Sequence, residues 1–104
     1  YCTAAHSMIA DKVSGVPKDV LQAIRTRQPI PDAKLAALAA MAVEMVAKHG
    51  QPDQAIVKAF LDAGYQERDL LYIVLAAAVK TLSNYRNQAF GTQVDEKFAG
   101  YKVA

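Results

Sequence analysis

The chain has 104 residues, 53% of them hydrophobic, and a formal net charge of +2. A chain of this length can bury roughly 60–70% of its unfolded surface, so we expect one domain over residues 1–104. The lysines and arginines are scattered, with Arg25 and Arg27 as the tightest pair, which does not indicate nucleic-acid binding. The single cysteine excludes a disulfide framework and suits a reducing compartment, so we expect a cytoplasmic protein.

The membrane and targeting signals are also weak. The longest uninterrupted apolar run, residues 70–79, is too short to span a bilayer, and no signal peptide is recognisable. We therefore expect no membrane partner. The chain opens on Tyr1 rather than methionine, from which we expect the natural protein to continue upstream.

The first predicted helix, at about residues 3–13, carries the most distinctive pair of side chains. Cys2 and His6 are four residues apart, so they lie on one helix face, one turn from each other. Apolar residues continue that face, which predicts that the thiol and the imidazole point inward, whereas Thr3 and Ser7 lie off it. The continuing residues are Ala5, Ile9 and Val13.

This pair outlines an activated nucleophile. A thiol at a helix start lies near unpaired backbone N–H groups and the positive end of the helix dipole, which favour the thiolate and lower the thiol pKa. An imidazole one turn along can take the proton. The alternative is that Cys2 is a small buried hydrophobe and His6 a core residue. We expect no metal site, because structural zinc needs four ligands and only His49 remains.

The rest of the chain predicts further helices and no strand. A short helix follows Pro17, and Gly50 is expected at the C′ position after the third helix, beside His49. Phe98 and Tyr101 are expected to hold a final helical turn against the body or another subunit. The remaining helices are predicted at residues 32–48, 51–64 and 67–88. The predicted fold is all-α, a single-domain bundle of five to six helices.

Two of these helices look like core helices. Residues 35–43 are apolar all round, which predicts a central, buried third helix. The fifth helix is also apolar, and its alanines at 76–78 offer a small face to the alanines of the third. Glu44 interrupts the buried run, either as a proton-handling carboxylate or as a side chain that reaches the surface; we favour the second.

Residues 1–7, Tyr-Cys-Thr-Ala-Ala-His-Ser, resemble the active-site helix of a known family. The family is the alkylhydroperoxidase AhpD-like branch of the carboxymuconolactone decarboxylases, which carries Cys-x-x-Cys-x-x-x-His. The likeness extends over residues 32–38, 63–65, 70–75, 84–87 and 91–92 and to Asp95, so nearly the whole chain is covered. It implies an AhpD-like helical fold and a homo-oligomer, a trimer or hexamer.

The resemblance also implies a mechanism. Cys2 matches the peroxidatic cysteine, whose thiolate attacks a hydroperoxide and becomes a sulfenic acid, and His6 matches the histidine of the proton relay. The first cysteine of the pair would then form a disulfide that an external dithiol reduces. That resolving cysteine falls two residues before Tyr1, and the relay glutamate lies further upstream. Gln88 stands where relatives often have histidine.

The predicted function is therefore a thiol-dependent hydroperoxide reductase with an antioxidant role and no cofactor. One alternative is a decarboxylase-type lyase on the same fold, which needs a general acid or base and an anion pocket rather than a redox thiol; the Cys2 and His6 pair counts against it. The other is a non-catalytic helical subunit of a homo-oligomer in which Cys2 is merely buried.

Overall fold

The structure is a computed structural model that describes residues 1–103. Within these residues, five α-helices and one 3₁₀ helix follow one another: α1 Cys2–Lys12, α2 Lys18–Thr26, α3 Ala33–Ala47, α4 Gln54–Asp62, α5 Glu67–Phe90 and the 3₁₀ helix Glu96–Tyr101. No strand occurs among residues 1–103. The predicted all-α class and the number of helices are confirmed.

The chain divides into two compact units. One is formed by residues 1–29 together with the chain from residue 82 onward, and the other by residues 30–81. The single domain expected over residues 1–104 stays a prediction. Across the described part of the chain, no helix combines the length and apolarity that crossing a bilayer requires.

The core of the first unit joins the two ends of the described chain. Ala4 and Ala5 of α1 bury against Phe98 of the 3₁₀ helix, with Met8 and Tyr101 packed around them. The small alanine side chains let the Phe98 ring approach the helix backbone. The expected final turn is confirmed, and it packs on α1 of the same chain.

Polar contacts tie the same elements together. The Tyr101 hydroxyl donates to Asp11 Oδ2 at 2.5 Å, while Arg25 Nη1 donates to Ser7 Oγ at 2.7 Å and to the Tyr101 carbonyl at 3.0 Å. The hydrogen bond from Tyr101 lowers the pKa of Asp11, and the same bond raises the pKa of Tyr101. Ser7 was expected off the inward face, and that is wrong. It is buried because its hydroxyl is the acceptor for Arg25.

The second unit is built around one aromatic stack. Asp32 caps α3 by accepting a hydrogen bond from the Leu35 N–H at 2.9 Å. Phe60 of α4 and Met41 of α3 are fully buried, and the Phe60 ring stacks on Tyr65 with 4.4 Å between centroids. Burial raises the pKa of Tyr65. The unit therefore has its own small core where α3 packs against α4.

The end of α3 differs from the prediction by one residue. The Gly50 N–H donates to the Met45 carbonyl at 2.8 Å and the His49 N–H donates to the Val46 carbonyl at 3.3 Å. This is a Schellman arrangement with His49 at C′ and Gly50 after it. His49 accordingly has φ of 51°. The expected Gly50 at C′ is wrong, because the left-handed turn begins one residue earlier.

Neither predicted core helix is enclosed in the single chain. Met41 is the buried residue of α3, whereas Val43 and Val46 are exposed. No residue of α5 is buried, and among residues 1–103 α5 belongs to none of the closely packed helix pairs. The expectation that both helices are buried is wrong. An apolar face shows which side avoids water, but it does not show what covers that side.

Glu44 makes polar contacts with Lys48 and with the backbone of Asp53. Its Oε2 atom accepts from the Asp53 N–H at 3.2 Å and lies 3.4 Å from the Lys48 ammonium group. Lys48 also reaches Asp53 at 2.7 Å, and the hydrogen bond to Asp53 raises the pKa of Lys48. Glu44 is half-buried, and it links the end of α3 to the start of α4.

Candidate active site around Cys2

Cys2 is the first residue of α1. Tyr1 is the N-cap residue and makes no side-chain cap, and the first turn of α1 contains no acidic residue. The first-turn N–H groups of a helix lack intrahelical partners and attract negative charge. The expected position of the thiol at a helix start is confirmed, and the side chain is half-buried.

The sulfur of Cys2 faces two polar side chains of α5. Asn87 Nδ2 donates to Cys2 Sγ at 3.2 Å, and Ser83 Oγ lies 3.6 Å from the same sulfur. Ser83 and Asn87 are four residues apart, so they project from one face of α5. Sequence reasoning missed both as site residues. The sequence carries no signal that sets them apart, because Lys80, Asn84 and Arg86 are also polar and lie in the same part of α5.

His6 is positioned by the backbone of the cysteine. Its Nδ1 atom lies 3.0 Å from the Cys2 carbonyl oxygen. A carbonyl oxygen only accepts, so Nδ1 carries the hydrogen in this contact, and in the neutral ring Nε2 keeps the lone pair. The contact therefore selects the tautomer in which Nε2 is the basic atom.

The structure corrects which side of α1 is buried. Cys2 and His6 were both expected to point inward, but His6 is exposed and Cys2 is only half-buried. The buried residues of α1 are Ala4, Ala5 and Ser7, because Phe98 and Arg25 approach that side. The imidazole is therefore accessible to solvent, and its assignment as the base stays a prediction.

Tyr1 anchors the residue before the thiol. Its hydroxyl donates to Asp95 Oδ2 at 3.0 Å, and its ring meets Phe98 edge-on with 6.0 Å between centroids. The hydrogen bond to Asp95 raises the pKa of Tyr1, which keeps the phenol protonated. Tyr1 thus holds the start of α1 in place and directs its hydroxyl to Asp95.

The arrangement is suited to holding a negative charge on sulfur. The amide of Asn87 is a donor, and the hydroxyl of Ser83 becomes one when the sulfur is anionic. Donors that face the charged form of a group stabilise it relative to the neutral form. Gln88, the next residue along α5, is exposed. Within residues 1–103, no group of three or more His, Cys, Asp or Glu side chains lies close enough to hold a metal ion.

Comparison with known proteins adds no family assignment. No protein-family model matches the chain, and a search of curated proteins finds no match either. The likeness to the AhpD-like branch therefore stays a prediction that depends on the residues quoted for it.

Proposed function

We propose that the protein is a thiol-dependent hydroperoxide reductase in which Cys2 is the nucleophile and His6 the base. The observation that carries the proposal is the pair of side chains around Cys2 Sγ, the Asn87 amide at 3.2 Å and the Ser83 hydroxyl at 3.6 Å, on a cysteine that begins α1. These groups favour a thiolate, which is the reactive form of cysteine. Membership of the AhpD-like branch is part of the same proposal.

The first step oxidises the sulfur. His6 takes the thiol proton, and the Cys2 thiolate attacks the terminal oxygen of the hydroperoxide. A sulfur–oxygen bond forms while the oxygen–oxygen bond breaks, so Cys2 becomes a sulfenic acid and the peroxide is reduced to an alkoxide. The alkoxide takes the proton from the His6 imidazolium and leaves as an alcohol, or as water when the substrate is hydrogen peroxide.

The second step returns the sulfur to the thiol with an external dithiol. One thiol condenses with the sulfenic acid, releasing water and forming a mixed disulfide on Cys2. The second thiol of the same molecule attacks that disulfide, which frees the Cys2 thiol and leaves the dithiol oxidised. Each turnover therefore takes two electrons from the dithiol and passes them to the hydroperoxide.

The proposal also includes the compartment in which the protein acts and its assembly. The protein acts in the cytoplasm, because a lone reduced cysteine suits a reducing compartment. It also acts as a homo-oligomer, which the family resemblance implies. The non-catalytic subunit is the competing function, and the apolar residues that α5 exposes are the observation that favours it.

Sulfenic acid trapping separates the two functions. One equivalent of tert-butyl hydroperoxide at neutral pH is expected to oxidise Cys2 quickly, and dimedone followed by peptide mass spectrometry will show the adduct on Cys2. The variant Cys2→Ser is the blank. A Cys2 that stays reduced over hours would exclude the peroxidatic role and leave the subunit function.

The variant His6→Ala tests the base. Loss of a positioned base slows a reaction by about a hundredfold or more, so labelling of Cys2 should slow to that extent at neutral pH. His49→Ala is the matched control, since His49 lies in the second unit and should leave the rate unchanged. Equal rates in the wild type and His6→Ala would remove His6 from the mechanism.

A further inference from the structure

We propose that Asp95 is a positioning residue for the Cys2 thiol, because it holds Tyr1, and with it the start of α1, against the end of α5. Asn87 of α5 donates to the Cys2 sulfur at that point. The proposal rests on the proposed function, in which the Cys2 thiolate is the nucleophile. Tyr1, Cys2, Asn87 and Asp95 all belong to the first unit, so the contacts described below lie within it.

The hydrogen bond between Tyr1 and Asp95 lies one residue away from the thiol. Tyr1 is the N-cap residue of α1, and Cys2 is the first residue of that helix. The Tyr1 hydroxyl donates to Asp95 Oδ2 at 3.0 Å, while the Tyr1 carbonyl accepts from the Ala5 N–H at 3.0 Å. Because Tyr1 is bonded through both its side chain and its backbone, its contact with Asp95 fixes where α1 begins.

The chain segment that carries Asp95 starts at the other partner of the sulfur. The Thr92 N–H donates to the Asn87 carbonyl at 3.0 Å, and Gly91 has a φ of 58°, a left-handed conformation that favours glycine at a helix end. This turn sets the direction in which the chain leaves α5. Asp95 follows three residues after Thr92, so its backbone is connected to Asn87 through a defined turn.

These contacts form a closed ring around the thiol. The ring runs from Cys2 Sγ to the Asn87 amide at 3.2 Å, along the chain to Asp95, across to the Tyr1 hydroxyl at 3.0 Å, and back to Cys2. Two hydrogen bonds close the ring, and the rest of it is covalent. Loss of the bond to Tyr1 leaves the sulfur contact as the remaining restraint of the ring. A misplacement of about 1 Å is enough to cost a reacting group much of its rate.

Phe98 anchors this segment independently of the Asp95 carboxylate. The Phe98 N–H donates to the Asp95 carbonyl at 2.9 Å, and the Phe98 ring is buried against Ala4 and Ala5 of α1. Within the described chain, the Asp95 side chain does not cap the 3₁₀ helix that it precedes. A substitution at Asp95 is therefore expected to remove the contact with Tyr1 and to leave the 3₁₀ helix in place.

Position and charge at Asp95 act on the thiolate in opposite directions. A carboxylate near a thiolate disfavours it, whereas a sulfur held beside the Asn87 amide is favoured as the anion. Asp95→Asn removes the charge but keeps a side-chain oxygen that accepts from Tyr1. Asp95→Ala removes both the charge and the acceptor. The difference between these two variants therefore measures position alone.

Alkylation of Cys2 by iodoacetamide in the full chain tests the proposal. At pH 7, Asp95→Asn should react at least as fast as the wild type. Asp95→Ala should react more slowly than Asp95→Asn by roughly two- to tenfold, which corresponds to weakening one hydrogen bond at the sulfur. The midpoint of its pH profile should be higher than that of Asp95→Asn. Glu96→Ala, at the neighbouring exposed carboxylate, is the control that should leave the rate unchanged.

The background Tyr1→Phe tests whether Asp95 acts through Tyr1. This background has lost the donor, so Asp95→Ala and Asp95→Asn should react at equal rates in it. Equal rates of the two variants in the wild-type background would overturn the proposal, and so would a difference that persists with Tyr1→Phe. If circular dichroism shows that Asp95→Ala loses helicity, Tyr1→Phe alone decides: it should react more slowly than the wild type, and an equal rate would overturn the proposal.

The alkylation rates also separate this proposal from the proposed function. If tert-butyl hydroperoxide leaves Cys2 reduced while the alkylation rates follow the expected order, the hydroperoxide reductase is contradicted and the effect of Asp95 on the thiol stands. If the peroxide oxidises Cys2 but Asp95→Ala and Asp95→Asn are alkylated equally fast, the positioning role of Asp95 is contradicted and the reductase stands.

Discussion

The contacts of the Cys2 sulfur determine whether the start of α1 can hold a reactive thiolate. Spacing alone placed Cys2 and His6 one turn apart, and the structure adds that His6 Nδ1 lies 3.0 Å from the Cys2 carbonyl oxygen. The structure also shows that the side chains of Ser83 and Asn87 contact the Cys2 sulfur. These two could not be predicted, because they are more than 80 residues from Cys2 in sequence and helical periodicity reports neighbours only within a few turns.

Replacing Asn87 tests the donor that lies nearest to the sulfur. Asn87→Leu removes the amide, and a hydrogen bond to a charged group contributes on the order of 1.5–3 kcal/mol, so the thiolate should become less populated. We expect the oxidation of Cys2 by tert-butyl hydroperoxide at neutral pH to slow by about tenfold, since each 1.36 kcal/mol corresponds to a factor of ten. The rate is followed by the loss of reactive thiol with time.

The same helix offers a matched control for this variant. Asn84 is exposed on α5, so Asn84→Leu makes the same chemical change away from the sulfur and should leave the rate unchanged. Asn87→Asp keeps the size of the side chain but replaces the donor with a negative charge, and it should slow the reaction at least as much as Asn87→Leu. Equal rates in all three variants would mean that the Asn87 amide does not act on the sulfur.

At the scale of elements, local sequence signals located the helices well. Asp32 is the N-cap that begins α3, and the expected turn around Phe98 exists as the 3₁₀ helix. The predictions of burial were wrong. α5 was expected in the core, yet it has no buried residue. Ser7 was expected off the inward face but is buried. Its hydroxyl accepts a hydrogen bond from Arg25, which belongs to α2. Helix caps depend on residues that are neighbours in the sequence, whereas the burial of a side chain depends on which distant element packs against it.

The hydrogen bond between Tyr101 and Asp11 predicts how the 3₁₀ helix responds to pH. The pKa of Asp11 is lowered from 3.8, so this bond stabilises the folded chain above that value and its contribution is lost as the pH falls through the lowered pKa. The pKa of Tyr101 is raised from 10.0, so its contribution is present below that value and is lost as the pH rises through the raised pKa. The bond therefore stabilises the chain at neutral pH.

The variant Tyr101→Phe removes the donor and keeps the ring. We expect a lower midpoint of urea unfolding at pH 7, and a smaller difference between the midpoints at pH 7 and pH 3 than in the wild type. The change should be small because both groups lie near solvent, where such interactions are weak. Tyr72→Phe, at an exposed tyrosine, should leave both midpoints unchanged. An equal acid dependence in Tyr101→Phe and the wild type would mean that Asp11 does not act through Tyr101.

Across the chain as a whole, the proposed chemistry depends on segments that are far apart in sequence. Ser83 and Asn87 belong to the last part of α5 and contact Cys2 at the start of α1. Both contacts lie within one chain, so the donor set around the sulfur does not require a second copy.

The rate at which iodoacetamide alkylates Cys2, followed as a function of pH, measures whether the site holds a thiolate. Only the thiolate reacts, so the midpoint of the profile is the pKa of the Cys2 thiol. Donors around the sulfur predict a midpoint below the value of ~8.5 for an ordinary cysteine. A midpoint at ~8.5 or above would contradict the claim that this site holds a thiolate.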